Sequence, residues 1–292
     1  MTDIVAAGPV IVSSGATRTE LTTWRLLLRR PTFLIGGSIL LFWVVCAIFG
    51  TAIAPHNPLA QQLLATNMPP SAAHWFGTDQ LGRDVLSRVI VGARTILIIA
   101  PLATVLGTVL GTALGLAMGY LGGVLDIVVS RIVEAVLAVP AVVIIFLFIV
   151  ALGTSTVTLI LVIGFIFTPL IARTVRSAVM VESQLDYLPS ARLLGEGAGR
   201  VMFVEILPNV VPTILVEFTV RLGYAIFTVA TLAFLGFGVN VSTPNWGSDI
   251  NSSYGLLGAG YWWETLFAAL AIASLVIGIN LVADSIENVV AG

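Results

Sequence analysis

The chain has 292 residues, 58% hydrophobic and only 10% charged, with a net charge of −2 and a mean hydropathy of +1.06. Soluble globular chains carry about 25% charged residues, so a deficit spread along the whole length argues against a soluble domain and for many apolar spans in lipid. All 13 basic residues are arginine, which excludes a P-loop, whose lysine reaches the nucleotide phosphates, and a Schiff-base nucleophile.

Any ATP-driven function must therefore borrow its ATPase from another polypeptide. The small net charge gives no sign of a nucleic-acid partner. Cys46 is the single cysteine and sits in an apolar run, so no disulfide or cysteine metal site is available.

Residues 1–30 read as a polar cytoplasmic tail with Arg18, Arg25, Arg29 and Arg30, and with no signal-peptide cleavage pattern. A first transmembrane helix is expected over 31–54. Its charge-free part, Phe33 to Ala54, is 22 residues, about 33 Å as a helix and enough to span the hydrocarbon. The preceding arginines put the N-terminus in the cytoplasm. Residues 55–94 then form an extracytoplasmic, Pro-rich segment that carries Arg83, Arg88 and Arg94 against the positive-inside trend, partly offset by Asp79 and Asp84. His56 and His74 lie 18 apart with no cysteine. They read as solvent-exposed loop residues, and no metal site is expected.

Residues 95–292 hold five further spans. Thr95 to Leu125 is charge-free, and Gly107, Gly111, Gly115 and Gly119 recur every fourth residue, which puts them on one helix face where a second helix can approach closely. That contact could be static or moving. Arg131 and Glu134 open the next span, and the polar break at 152–156 divides Ala135 to Ala172 into two spans. Arg173 and Arg176 mark the return to the cytoplasm, leading into a polar loop over 176–209. A fifth span runs from Val210 to about Leu235, a Gly/Asn/Pro/Ser-rich loop covers 236–262, and a sixth span covers Thr265 to Ala283. The prediction is an all-α polytopic membrane protein with six transmembrane helices and both termini cytoplasmic. No internal repeat of the kind that builds inverted-repeat secondary transporters is evident.

The loop is the longest polar interruption between strongly apolar stretches. Tyr187, Leu188, Ala191, Leu194 and Gly195 share one face at helical spacing, while Arg192 and Glu196 point elsewhere. Gly195 and Gly197 break this helix, and a second short helix over Arg200 to Leu207 is expected to stop at Pro208. An apolar face on a short cytoplasmic helix suits a groove on a soluble partner. A hairpin lying on the lipid surface would prefer more basic residues.

These residues also carry a resemblance. TyrLeuProSerAlaArgLeuLeuGly (187–195), followed by GluIleLeuProAsn, resembles the "EAA" loop of ATP-binding-cassette importer permeases. HisTrpPheGlyThrAspGlnLeuGlyArgAspValLeuSerArg (74–88) resembles the signature of the dipeptide/oligopeptide/nickel permease family, in the subunit usually paired second. AlaPheLeuGlyPheGlyVal (233–239) and ProAsnTrpGly (244–247) resemble that family's closing motif, and the match is collinear from about residue 25 to 285.

The resemblance implies the type I importer permease fold, in a cell-membrane subunit paired with a related permease, two ATPase subunits and an extracytoplasmic substrate-binding protein. It implies no catalysis and no cofactor in this chain, with ATP and Mg in the ATPase subunits. ATPase coupling would fall to Tyr187, Leu188, Pro189, Ser190, Ala191, Arg192, Leu194 and Gly195. Binding-protein contact would fall to Trp75, Asp79, Arg83, Asp84, Asn245 and Trp246. Two departures stand out: Pro189 replaces the family glutamate, so the docking helix should begin near Pro189, and Gly197-Ala198 replaces a polar helix cap, at a cost of about 1 kcal/mol. Glu217 and Arg221, at i and i+4 in the fifth span, are either a polar patch on the translocation pathway or a self-paired ion pair inside the bundle. The rival from another class is a stand-alone secondary transporter or channel, for which only Glu217 would serve as an intramembrane coupling carboxylate. An exporter subunit is a weaker alternative.

Overall fold

The computed structural model describes residues 27–185, 195–237 and 243–290, and within them no strand is formed. We label the main helices α1 (Pro31–Ile53), α2 (Val85–Leu121), α3 (Gly123–Ala138), α4 (Ala141–Leu152), α5 (Thr156–Glu182), α6 (Leu207–Leu232), α7 (Trp246–Ser253) and α8 (Trp263–Val290). Five helical stretches are long and apolar enough to cross a membrane, and the bent pair α3 and α4 counts as a sixth if it forms one span.

The glycine stripe sets the central contact. A Cβ added at Gly107, Gly111, Gly115 or Gly119 of α2 would lie 2.9, 2.7, 2.7 and 2.7 Å from the Cβ of Phe167, Ile171, Val175 and Val179 of α5. A small residue at each of these turns lets the two backbones close together, and the β-branched or aromatic partners fill the grooves that result. Both residue series ascend together, so α2 and α5 run parallel. Two parallel spans need a return crossing between them, and only α3 and α4 stand there.

The third span, read from the sequence as running from Ala135 to the polar break at 152–156, is bent. Val139 is extended (φ −88°, ψ 130°) because Pro140 follows it, and α3 and α4 meet at 88°. α4 has only 12 residues, about 18 Å, too short to cross alone. Asp126 in the first turn of α3 accepts hydrogen bonds from the Arg176 guanidinium of α5, the Nη2 contact measuring 2.7 Å.

The second helix begins at Val85, ten residues before its charge-free run, because the Asp84 side chain caps it by accepting from Ser87 N. The 236–262 loop likewise contains a helix, α7, whose Asn245 N-cap accepts from Gly247 N at 3.0 Å. Pro208 does not stop the chain, as it was expected to. Helix runs from Ala198 to Leu235, where Gly236 (φ 89°) ends it, with a widened turn over Val201–Ile206 immediately before the proline. Such a turn re-spaces the i→i−4 ladder that a proline disrupts. Gly197 is the N-cap of this stretch and offers no side-chain bond.

α1 packs on α8 and α2. Thr32 and Ser285 hydroxyls meet at 2.9 Å, Gly36 lies against Gly278, and Trp43 Nε1 donates to Ser274 Oγ at 2.9 Å. The start of α1 and the end of α8 therefore lie on one side, as six crossings require. Asn209 Nδ2 donates to Glu182 Oε1 at 2.9 Å, joining the ends of α5 and α6 on that same side. The outer surfaces of α1 and α4 are strongly apolar and exposed, with Leu41, Ile48, Leu147 and Val150 all more than 60% accessible, which suits lipid.

Replacing Gly111 with Val should lower stability by about 1–3 kcal/mol or more, seen as a drop in the thermal midpoint of the purified protein. The matching control is Gly37→Ala, where an added Cβ meets nothing within 4 Å and the midpoint should hold.

Candidate functional site

Two regions carry the polar residues of this chain, a layer at the end of the bundle opposite the termini and the loop between α5 and α6. The layer is built from residues 55–84, the first turns of α2, α7 and the start of α8. Its backbone is held in tight turns: Gly77 (φ 76°) lies against Met68 O and the Trp263 ring, and at Gly82 (φ 69°) a Cβ would sit 1.9 Å from Gln62 O. Only glycine fits either place.

Between these turns the charged side chains go inward. Asp79 Oδ1 accepts from Leu81 N and Arg83 N, both at 2.8 Å, and its other oxygen takes the Arg83 Nε. Arg88 is 3% exposed and donates to Asp249 on α7, with Pro58 O at 3.4 Å and Asp79 Oδ2 at 3.8 Å. Burial raises the Asp249 carboxyl, while the Arg88 charge opposes that shift. Glu264, at the start of α8, accepts from Ser252 Oγ at 3.2 Å. Trp246 is fully buried, donates from Nε1 to Val89 O at 2.8 Å and meets the Trp43 ring edge-on at 4.7 Å. Trp263 Nε1 donates to Thr78 O at 2.9 Å. A cavity of about 390 Å³ opens beside this network, lined by Arg83, Arg88, Ser248, Asp249 and Ser252 among others.

Of the residues expected to meet a binding protein, Asp79, Asp84, Asn245 and Trp246 are thus internal and satisfied, and Arg83 is largely covered. Trp75 is 70% exposed, and Leu63 and Leu64 of the same segment are also exposed. The motif's charged letters build the layer, Phe76 stacks on Phe267, and Trp75 faces outward. Arg83 and Arg88 are thereby neutralised within the protein.

His56 is exposed as expected, but His74 is buried. Asp84 brings the two together. Its Oδ1 lies 2.8 Å from His74 Nδ1 and 3.5 Å from His56 Nδ1, and its Oδ2 accepts from Ser87 N at 2.9 Å and Ser87 Oγ at 2.6 Å. Burial pushes this carboxyl up, yet the hydrogen bonds from Ser87 and His74 outweigh it and hold it below the ordinary carboxylate range. No sequence spacing could have shown this group, whose members lie on three separate segments.

Within the bundle, Arg221 Nε donates to Glu217 Oε1 at 2.7 Å, and both side chains are mostly covered. The guanidinium also lies 5.7 Å from the Tyr224 ring centroid. Tyr224 lines a separate cavity of about 340 Å³ between α6 and α8, together with Thr219, Gly223, Asn280, Asp284 and Glu287. In the α5–α6 loop, residues 186–194 lie outside the described residues, and with them the coupling set from Tyr187 to Leu194. Gly195 is described and is left-handed (φ 79°) with open space around it, which fits a chain reversal.

Residues 111–291 match the family model described as the binding-protein-dependent transport system inner membrane component, and residues 21–70 match the N-terminal TM domain of oligopeptide transport permease C. The chain is 39% identical over 271 residues to the dipeptide transport system permease protein DppC of Escherichia coli (strain K12), covering 91% of this chain and 90% of the relative. It is 32% identical over 265 residues to the protein of the same name in Bacillus subtilis (strain 168), covering 91% and 83%. It is also 36% identical over 269 residues to the glutathione transport system permease protein GsiD of Salmonella typhimurium, covering 91% and 88%.

Replacing Arg88 by Met should strand the Asp249 carboxylate in the layer and cost about 3–5 kcal/mol, whereas the double change Arg88→Met with Asp249→Leu should cost clearly less than the two single changes summed. Thermal midpoints of the four proteins check this, and additive losses would contradict the pairing.

Proposed function

Because the chain belongs to the family of binding-protein-dependent transport system inner membrane components, we propose that it forms one half of the translocation pathway of an importer for peptides or peptide-like solutes. It is the permease subunit of an ATP-binding-cassette importer. The observation that carries the peptide reading is the near-complete, collinear likeness to dipeptide and glutathione permeases, about nine-tenths of each chain. A lone secondary transporter is disfavoured, since Glu217, its one candidate coupling carboxylate, is paired with Arg221.

In this reading the other half of the pathway is a related permease, and hydrolysis of ATP with Mg falls to two ATPase subunits. This chain performs no chemical step and needs no cofactor of its own. The α5–α6 loop lies in the cytoplasm, as do both termini. Tyr187 to Gly195 seat in a cleft of one ATPase, and closure of the ATPase pair pushes the loop, shifting the packed spans as bodies. A loaded binding protein meets the opposite face at the exposed Trp75. Glu217 and Arg221 belong to the pathway wall, where a guanidinium–carboxylate pair can exchange partners with a zwitterionic cargo. Tyr224 links that pair to the cavity between α6 and α8.

Cross-linking tests the docking. With Cys46 replaced by Ala and Leu188 by Cys, a short thiol cross-linker should join this chain to its ATPase, and the yield should change when nucleotide closes the ATPase pair. A chain that cross-links to no copurifying ATPase overturns the reading.

For the pathway, Glu217→Gln should lower substrate uptake at least about tenfold, the scale of one charged hydrogen bond, while leaving assembly of the complex unaltered. Uptake and substrate-stimulated hydrolysis that match the parent protein would remove Glu217 from the pathway.

A further inference from the structure

His56, His74 and Asp84 come from three segments: the turn leaving α1, the loop over 71–78, and the N-cap of α2. Each offers one ligating atom, and these atoms lie within 4.8 Å of one another. The two imidazole rings are 4.8 Å apart, tilted by 39°, and both present Nδ1 to the same oxygen, Asp84 Oδ1, at 2.8 and 3.5 Å.

The surrounding bonds hold this arrangement. Asp84 Oδ2 is taken by Ser87 N and Ser87 Oγ, which leaves Oδ1 turned toward the imidazoles. Ser87 Oγ also accepts from the backbone N–H of His56 at 3.1 Å, so one hydroxyl orients the carboxylate and anchors the strand that carries the second imidazole. The His74 backbone is pinned in turn, its carbonyl accepting from Ser71 N at 2.8 Å and Gly77 N at 2.9 Å. Outer partners that fix the direction of each ligand are what a metal site needs beyond its donors.

We propose that His56, His74 and Asp84 form a binding site for a divalent transition-metal ion of the zinc type on the outer face of the permease. Two imidazole nitrogens and one carboxylate oxygen suit Zn²⁺ and its neighbours, whereas Mg²⁺ and Ca²⁺ prefer oxygen donors alone. Bonds of about 2.0–2.1 Å place the donors of a tetrahedral ion about 3.3 Å apart, and the two His–Asp separations bracket that spacing. Asp84 supplies a negative charge where the N-terminus of α2 would otherwise repel a cation. The His56 side chain is 41% accessible, so the ion reaches the site from outside and keeps a position for water. Binding replaces the hydrogen between His74 and Asp84, so the neutral His74 ring carries its proton on Nε2 when the ion is held at Nδ1. The ion then ties the exit of α1 to the entry of α2.

The test uses the full chain, purified without a polyhistidine tag, stripped with chelator and titrated with ZnCl₂ by calorimetry in lipid nanodiscs. One Zn²⁺ per chain is expected. His56→Asn, on the accessible ligand, should weaken binding by at least about tenfold, the lower end of what loss of even an outer-shell partner costs. His56→Cys, which restores a zinc donor, should recover it. Co²⁺ in place of zinc should give a visible absorption band in the parent protein that His56→Asn lacks. Absence of stoichiometric zinc binding in the parent protein, or binding unchanged in His56→Asn, would overturn the proposal.

Discussion

The close parallel contact between α2 and α5 governs the rest of the molecule. Four glycines on one face of α2 admit the Cβ atoms of Phe167, Ile171, Val175 and Val179 to within a distance no other residue type permits. In lipid there is no hydrophobic drive for helices to associate, so such contact surface is what holds them. Because the pair is parallel, the chain between them must recross the membrane. It does so as the bent α3–α4 unit, which Arg176 ties back to α5 through Asp126.

A second constraint acts at the end of the bundle opposite the termini. Burying Arg88, Asp79, Asp249 and Glu264 together is costly unless every charge finds a partner, and a paired buried ion cluster adds little net stability over an apolar one. What the cluster does supply is a single arrangement. Arg88 on α2 meets only one register of α7, and Trp246, seated on Val89 O and against Trp43, admits no slip. Membrane helices joined by small-residue contacts alone could slide, and a buried polar lock at one end removes that freedom.

The glycine stripe was legible because its period of four is also the period of a helix face. The number of crossings was legible from charge-free runs. Less visible were features in which one residue overrides its usual meaning. Asp84 reads as one more loop charge, yet it is the cap that starts α2 ten residues before the apolar run begins. Pro208 reads as a stop, but the widened turn over Val201–Ile206 absorbs it. His74 reads as a surface residue because its partner, Asp84, lies ten positions away and His56 lies eighteen positions the other way. Pro140 should have shown the break between α3 and α4, since the residue before a proline avoids helix. The apolar run around it hid that signal.

The uninterrupted passage through Pro208 has a mechanical consequence. The helical stretch from Ala198 to Leu235, before the left-handed Gly236, is about 57 Å long, roughly twice the hydrocarbon thickness. Asn209, in its first half, lies beside Glu182, and the far end reaches the polar layer beside α7. A rod of that length pivoting at its middle by about 10° would carry each end about 5 Å in opposite directions. A push at the loop would thus arrive at the far face with its amplitude kept and its direction reversed, the geometry of a seesaw.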